Sequence, residues 1–522
     1  MPRAEKTIPN FYRDSVALME ASARIERLLG VTRAAAIMAT QANIDLLKDA
    51  GFATGNLSAK PNDLLIIIEG RDNDAIANAL KEAELDLQKA PEIRPSEAAS
   101  AALPPSSIAM AKEDMPDANF ALISTPGEYA AAEAEKALRL GLNTMVFSAN
   151  VALDDEIALK KLAIDNDLLM MGPDCGTAIV NGIPLGFANV LRRGSIGLVA
   201  SAGTGLQQVS SLIDRAGIGI SQAIGCGSRD LSEAVGGASM LKGLDALAED
   251  SSTQIIVLVA KHPSLSVARR ICEAAEKIAK PVVVNFLGIE IAEAANGKLH
   301  FARTLEDAAQ IAAALARGEK PTISSTLDPV LADLAREASS RLGSRQKYVR
   351  GLFSGGTFCY EAQVLLAEQI GPVWSNTPVN PANALSDIWV SRENAVIDLG
   401  DEAFTRGRPH PMIDQRLRLE RIAQEAKDPE TAVILLDVVL GYGSHPNPAT
   451  EIANVITKLR DSSKRDVIFV ASVCGTPGDP QKLTQQERVL RDAGVLLTLS
   501  NASAARLAAT IVKAQRNPAR AA

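Results

Sequence analysis

Short apolar runs alternate with amphipathic stretches along most of the chain. Residues 7–90 open with TRAAAIMAT (32–40), then NIDLLKDAG, which has helical spacing. DLLIIIE (63–69) reads as a buried strand, and NDAIANALKEAELDLQ as the amphipathic helix behind it. The pattern predicts a small α/β unit over 1–90. Residues 91–117 lose all periodicity and are rich in Pro, Ser and Ala, the composition of a linker. From 118 to 192 the order becomes strand, helix, strand, helix, strand: NFALIST, PGEYAAAEAEKALRLG, NTMVFSA, LDDEIALKKLAIDN and DLLMMGPDCGT. Such alternation calls for a Rossmann-like parallel sheet, with ligand loops at the carboxyl ends of its strands.

Two later stretches repeat one plan. SIGLVASAGTGLQQVSSLIDRAG (195–217) and YVRGLFSGGTFCYEAQVLLAEQIG (348–371) each give a strand, a Ser-x-Gly-Thr turn and a helix. Each is followed by a glycine loop (AIGCGSRD, VIDLGDEAF) and by further strands (QIIVLVAKH and KPVVVNFLG; TAVILLDVV and RDVIFVASVCGT). We read this as an internal duplication of a flavodoxin-like unit, with copies at 193–318 and 347–522. A linker with a helix at 319–346 joins them, and the second copy carries an insertion around 372–395. The fold expected is therefore α/β: a small N-terminal unit, a Rossmann-like unit and two flavodoxin-like domains. A chain of 522 residues has room for these at about 150 residues per domain.

Composition narrows the function. The 18 aromatic residues (5 Tyr, 11 Phe, 2 Trp) leave aliphatic side chains to fill the core, and they argue against stacking platforms for single-stranded nucleic acid. The net charge of −8, without any basic block, excludes a typical nucleic-acid footprint. Five scattered cysteines without a CxxC pair fit a reducing compartment. No apolar run approaches the roughly 20 residues that span a bilayer, and the start has no signal-peptide core. A cytoplasmic protein with no membrane partner is expected.

The Ser-x-Gly-Thr turns carry the main chemical signal. Ser201, Ala202, Gly203 and Thr204, and likewise Ser354, Gly355, Gly356 and Thr357, stand between a strand and a helix. There, unpaired amides and the positive end of the helix attract an anion. Simple capping by Ser or Thr is the alternative. Arg406, Arg408 and His410 gather donors within five residues, and GYGSHPNPA offers Gly443, Ser444 and His445 at another strand end. We take His410, His445, Arg406 and Arg408 as candidate catalytic residues. Asp174, Gly176, Gly225, Gly227 and Gly400 are taken as further ligand-loop residues. Cys175 and Cys226 fall in such loops but read better as buried thiols than as nucleophiles. No metal motif is present, and Asp401 and Asp437 read better as solvated or capping groups than as magnesium ligands.

GPDCGT, SIGLVASAGTG, GIGISQAIGCGSRD, QIIVLVA and KPVVVNFLG resemble the α subunit of succinyl-CoA synthetase and related NDP-forming acyl-CoA synthetases. GLFSGGTFCYEA, DLGDEAFTRGRPHPMID and LLDVVLGYGSHPNPA extend the resemblance to the FdrA family over the whole chain. The resemblance implies a CoA-binding-like Rossmann region at 118–192. It also implies action in purine-ring (allantoin) degradation as an oxamate carbamoyltransferase, converting oxalurate and phosphate into oxamate and carbamoyl phosphate. The synthetases' Gly-His-Ala-Gly phosphohistidine loop is missing. His300 precedes ARTLEDAA, which looks like the segment beyond that loop, and Lys261 stands where the synthetases carry a strand-end Glu. Phosphate or carbamoyl phosphate is the expected substrate; binding of CoA or a nucleotide stays open. Partner subunits of the same pathway are implied, with a homodimer as the other arrangement. An NDP-forming acyl-CoA ligase and a non-catalytic scaffold are the alternative functions.

Overall fold

The computed structural model describes residues 2–13, 15–49, 52, 59–88, 105–289, 298–323, 327–406, 408–462 and 466–516. The N-terminal unit runs β1 (Arg3–Ile8), α1 (Ser15–Glu26), β2 (Val31–Met38), α2 (Gln41–Asp49), β3 (Leu64–Gly70) and α3 (Asn73–Gln88). Its sheet is antiparallel, in the order β1-β3-β2. The run LLIII in β3 is fully buried because the sheet is covered on both faces. Leu64, Ile66 and Ile68 meet Leu18, Ile76 and Ala83 of α1 and α3 on one side. Leu65 and Ile67 meet Leu47 and Phe52 on the other.

The linker expected at 91–117 lies in part outside the described residues. Its later part instead forms α4 (Ile108–Asp114), started by the Ser107 side chain accepting from Met110 N–H. Next come β4 (Phe120–Ile123), α5 (Gly127–Arg139), β5 (Asn143–Val146), α6 (Leu153–Asp165) and β6 (Met170–Met171), which make a parallel sheet ordered β4-β5-β6. Residues 177–186, placed by their position within 118–192 in this unit, form a hairpin of β7 (Thr177–Val180) and β8 (Ile183–Gly186) that pairs instead with β10 of the next sheet.

The first flavodoxin-like copy holds β9 (Arg193–Ala200), α7 (Gly203–Arg215), β10 (Ile220–Gly225), α8 (Ala238–Glu249), β11 (Ile255–Lys261), α9 (Leu265–Glu276), β12 (Val282–Leu287), β13 (Leu299–Phe301) and α10 (Leu305–Ala316). After α11 (Pro329–Ser340), the second holds β14 (Tyr348–Phe353), α12 (Gly356–Ile370), β15 (Ala395–Asp398), α13 (Glu402–Thr405), α14 (Arg416–Lys427), β16 (Thr431–Val439), α15 (Pro448–Ser462), β17 (Ile468–Cys474), α16 (Leu483–Asp492), β18 (Leu496–Thr498) and α17 (Asn501–Arg516). The strand orders are β10-β9-β11-β12-β13 and β15-β14-β16-β17-β18, all parallel. Numbered within each copy, both read 2-1-3-4-5, the flavodoxin-like order. The duplication seen in the sequence is thus repeated strand for strand.

One core joins the copies. Leu206 and Val209 of α7, Phe358 and Leu365 of α12, Ala308 of α10 and Leu507 of α17 belong to a single buried cluster. These helices fill the space between the sheets, which brings the strand-to-helix turns of both copies together.

Candidate functional site

The helices α7 and α12 start without a side-chain cap. Their N-cap residues are Ala202 and Gly355, and neither makes a capping hydrogen bond. Ser201 and Ser354 therefore do not serve as caps. The first intrahelical bonds run from Leu206 N–H to Ala202 and from Cys359 N–H to Gly355. The amides of 203–205 and 356–358 precede them and have no intrahelical acceptor. The two turns also face each other. A Cβ at Gly355 would lie 2.9 Å from Thr204 Oγ1, and one at Gly205 would lie 3.1 Å from Thr357 Cγ2. Two positive helix ends thus meet at one point.

The turns are not equivalent. Asp437, buried in β16, accepts from Ser354 N–H, the Ser354 hydroxyl and Gly355 N–H, each at 2.9 Å. Its charge is matched by Arg418 of α14, 2.7 Å away and equally buried. Ser354 and Gly355 are therefore spent on the chain's own carboxylate, which corrects their expected role as ligand contacts. In the first copy an aliphatic residue takes this place. Ala200 is paired with Val259, and extending the Leu352–Leu436 pairing by one residue sets Phe353 opposite Asp437. Among the described residues no carboxylate fills the first turn. The buried Ser201 hydroxyl there has no hydrogen-bond partner, and Gly203 is exposed.

Two strand ends complete the site. A Cβ at Gly356 would lie 2.6 Å from Asp398 Oδ2 at the end of β15 and 2.9 Å from Lys261 Nζ at the end of β11. Lys261 has no hydrogen bond or ion pair among the described residues. Burial pushes the Asp398 carboxyl up to about 6, with Lys261 opposing the rise. His410 is brought in by the segment after α13. Its Nδ1 accepts from Met412 N–H at 3.2 Å, which puts the proton of a neutral ring on Nε2. A Cβ at Gly400 would lie 2.7 Å from this Nε2 and 3.2 Å from Asp398 Oδ1. Enclosure lowers His410 to about 4, so near pH 7 it is a neutral donor.

The other expected residues fall as follows. The loop 172–177 packs on the glycine loop of 225–227: a Cβ at Gly225 would meet Cys175 Sγ at 2.5 Å, and one at Gly227 would run into Pro173 O. Gly176 and Thr177 border the start of α7, since a Cβ at Gly203 would lie 3.5 Å from Thr177 Oγ1. Asp174 is exposed and hydrogen-bonded to Ser228. Burial pushes Cys175 up to about 12 and Cys226 well above its ordinary value, so neither is a ready thiolate. Arg406 is exposed and paired with Glu402 at 2.8 Å, and Arg408 lies 5.7 Å over the Trp389 ring. Neither shares a contact with His410 among the described residues, so the expected three-donor cluster is divided. Asp401 caps α13, and Asp437 is saturated as described.

Gly443 packs on Phe187, whose ring is 6.1 Å from that of His410. The Ser444 hydroxyl is buried without a partner. His445 is buried, but its ring faces Glu451 and Arg27. His262 sits beside Lys261 and meets the Tyr360 hydroxyl at 3.3 Å. His300 pairs with Val283, four residues short of the Leu287 that pairs with Lys261. It is therefore about 13 Å back along the sheet from the site. Residues 290–297, where a phosphohistidine loop would fall, lie outside the described residues.

Asp398 and Arg418 were not visible as site residues. Asp398 had one sequence signal, its place just before the glycine loop at a strand end. Asp437 had a stronger one, a lone acid inside the apolar run VILLDVV, which requires a buried cation.

The family models that match this chain agree with this architecture. Residues 1–102 match the family described as AllF, heavy metal-associated domain; residues 193–320 match the succinyl-CoA ligase-like flavodoxin domain; residues 352–511 match CoA-ligase. The chain is 43% identical over 506 residues to the Escherichia coli (strain K12) protein called uncharacterized protein YahF, covering 96% of each. It is 30% identical over 169 residues to the α-2 subunit of the mitochondrial ADP-forming succinate–CoA ligase of Trichomonas vaginalis, covering 31% of this chain and 52% of that protein. The ATP citrate lyase of Methanothrix soehngenii in complex with citrate and coenzyme A aligns over 79% of this chain and 85% of that one, at 13% identity and a TM-score of 0.35.

Proposed function

Because the chain belongs to the FdrA family of proteins resembling NDP-forming acyl-CoA synthetases, with an AllF-type N-terminal domain, we propose that it catalyses phosphate-dependent carbamoyl transfer. The substrate is a small anion of the oxalurate class. The observation that carries this reading is the open first turn: uncapped amides of two facing helices, the orphan Ser201 hydroxyl and the unpaired Lys261, set against one carboxyl held near pH 6. Phosphate fits this cradle as a dianion.

The chemistry then balances without a covalent enzyme intermediate. A phosphate oxygen attacks the terminal carbamoyl carbon of oxalurate. The oxyanion that develops is held by helix amides and by His410 Nε2–H. The carbon–nitrogen bond breaks, its electron pair stays on the oxamate nitrogen, and that nitrogen takes the proton of Asp398. Asp398 regains a proton from the phosphate hydroxyl as carbamoyl phosphate forms. Bound phosphate beside Asp398 raises its pKa further, which keeps it protonated for this step near neutrality.

The direct test is phosphorolysis of oxalurate by the chain with its co-purifying subunits, followed as carbamoyl phosphate. Gly203→Ala tests the cradle. The new methyl group would make only an ordinary 3.5 Å contact with Thr177, so the fold is expected to stand. The methyl would cover the amides, and the KM for phosphate is expected to rise about 10-fold or more, with little change in Tm. An unchanged KM for phosphate would place the anion elsewhere. An NDP-forming ligase reaction would instead leave an acid-labile phosphoprotein after incubation with labelled ATP.

A further inference from the structure

The N-terminal unit matches a family described by heavy-metal association, but its residues do not fit a metal. Residues 1–102 contain no cysteine and no histidine, the commonest donors to soft and borderline ions, and the thioether of Met38 is packed in the core of the unit. Among the described residues no group of three or more His, Cys, Asp or Glu side chains could hold a metal ion.

What the unit carries instead is a pair of opposite charges where α1 ends. The Glu26 carboxylate accepts from Ala34 N–H at 2.7 Å and pairs with Arg416 at the start of α14. Arg27 lies 3.8 Å from Glu451 in the first turn of α15. Minus at the last residue of α1 and plus just after it thus meet plus and minus on the second flavodoxin-like copy. Such a crossed pattern fixes a docking register, because shifting it sets like charges together.

The contact reaches the site through one loop. His445 Nδ1 accepts from Asn447 N–H at 3.1 Å, so the proton of the neutral ring is on Nε2, which faces Glu451 Oε1 at 3.3 Å. Arg27 stands 3.2 Å from the same Nε2. A nitrogen that carries a proton cannot accept one, so Arg27 acts there by balancing Glu451. His445 N–H donates to Met412 O at 2.7 Å, which ties the loop to the segment carrying His410. Gly443 of the same loop packs on Phe187, the neighbour of His410.

We propose that the N-terminal unit is a docking element and not a metal carrier, with Arg27 a positioning residue that acts through Glu451 and His445 to hold the loop 441–447 against the anion site. The proposal does not depend on which reaction the site performs.

The test uses the full chain and amide hydrogen exchange. Arg27→Glu sets a carboxylate against Glu451. Because Arg27 is exposed, the overall fold and circular dichroism are expected to be unchanged. Exchange in 441–447 is expected to quicken about 10-fold, the effect of reversing one charge in an ion-pair network. Adding Glu451→Lys restores opposite charges and is expected to bring exchange back to within about threefold of the parent. Arg27→Ala is expected to fall between. Unchanged exchange in Arg27→Glu, or a loosened loop that the second substitution does not tighten, would overturn the docking role. Titration with Zn²⁺ or Cu⁺ is expected to leave exchange of residues 31–70 unaltered. Protection of those residues at one equivalent of metal would overturn the other half.

Discussion

Replacing Asp398 by asparagine is expected to slow carbamoyl phosphate formation about 10²–10⁴-fold, the usual contribution of a positioned acid. The same substitution is expected to stabilise the protein at alkaline pH. The carboxyl is raised in the folded chain to about 6 by burial. Its contribution to stability is therefore complete below the unfolded value of about 3.8 and is lost as pH rises through about 6. Above that, the native state carries a buried carboxylate only partly repaid by Lys261. Asparagine removes this charge and can still accept from Gly400 N–H. The variant is expected to gain about 3 kcal/mol near pH 8 and little near pH 4, read as Tm against pH. Phosphorolysis by the parent is expected to fall as pH rises past the acid's pKa, and this limb is expected to be absent from the residual rate of Asp398→Asn. A variant that is inactive and unstable at all pH values would mean Asp398 is structural.

The second large effect concerns Asp437. Asp437→Ala leaves Arg418 as an uncompensated charge, 2% exposed, and strips three donors at Ser354 and Gly355 of their acceptor. Breaking a buried pair by removing one partner costs about 3–5 kcal/mol. The expected outcome is a fall of that size in unfolding free energy, measured by denaturant titration. A loss below about 1 kcal/mol would mean that water or a rearranged Ser354 turn compensates Arg418. Asp437 would then no longer explain why the second turn is closed to ligand.

The layered fold was readable because its signals are local. Apolar strands, glycine turns and their repeated order determine two copies of one sheet, and the strand orders agree. The strand-turn-helix form of the first turn was readable for the same reason, since Ser201, Gly203 and Thr204 lie within four residues. The asymmetry between the copies was not, because it depends on which residue of a neighbouring strand stands beside each turn. Val259 is unremarkable in its run, and Asp437, though a lone acid in an apolar one, does not by itself say which turn it will fill. Asp398 was hidden because its raised proton affinity comes from burial, opposed by Lys261, which arrives from the other copy. Arg418 lies in RLRLERIAQEAK, where a charged helix reads as a solvated face, yet this arginine points inward to Asp437. Arg406 and Arg408 erred in the other direction: closeness in sequence to His410 did not carry them to it, because Arg406 closes on Glu402 within its own turn.

In the proposed reaction two facing helix ends, Lys261 and Asp398 transfer a carbamoyl group to phosphate directly. ³¹P NMR of the chain and its co-purifying subunits, supplied with oxalurate and inorganic phosphate and no nucleotide, tests it most simply. A carbamoyl phosphate resonance is expected to grow as phosphate declines, and to be lost in Lys261→Met and Asp398→Asn. No carbamoyl phosphate under these conditions, or its appearance only through a phosphorylated protein, would contradict it.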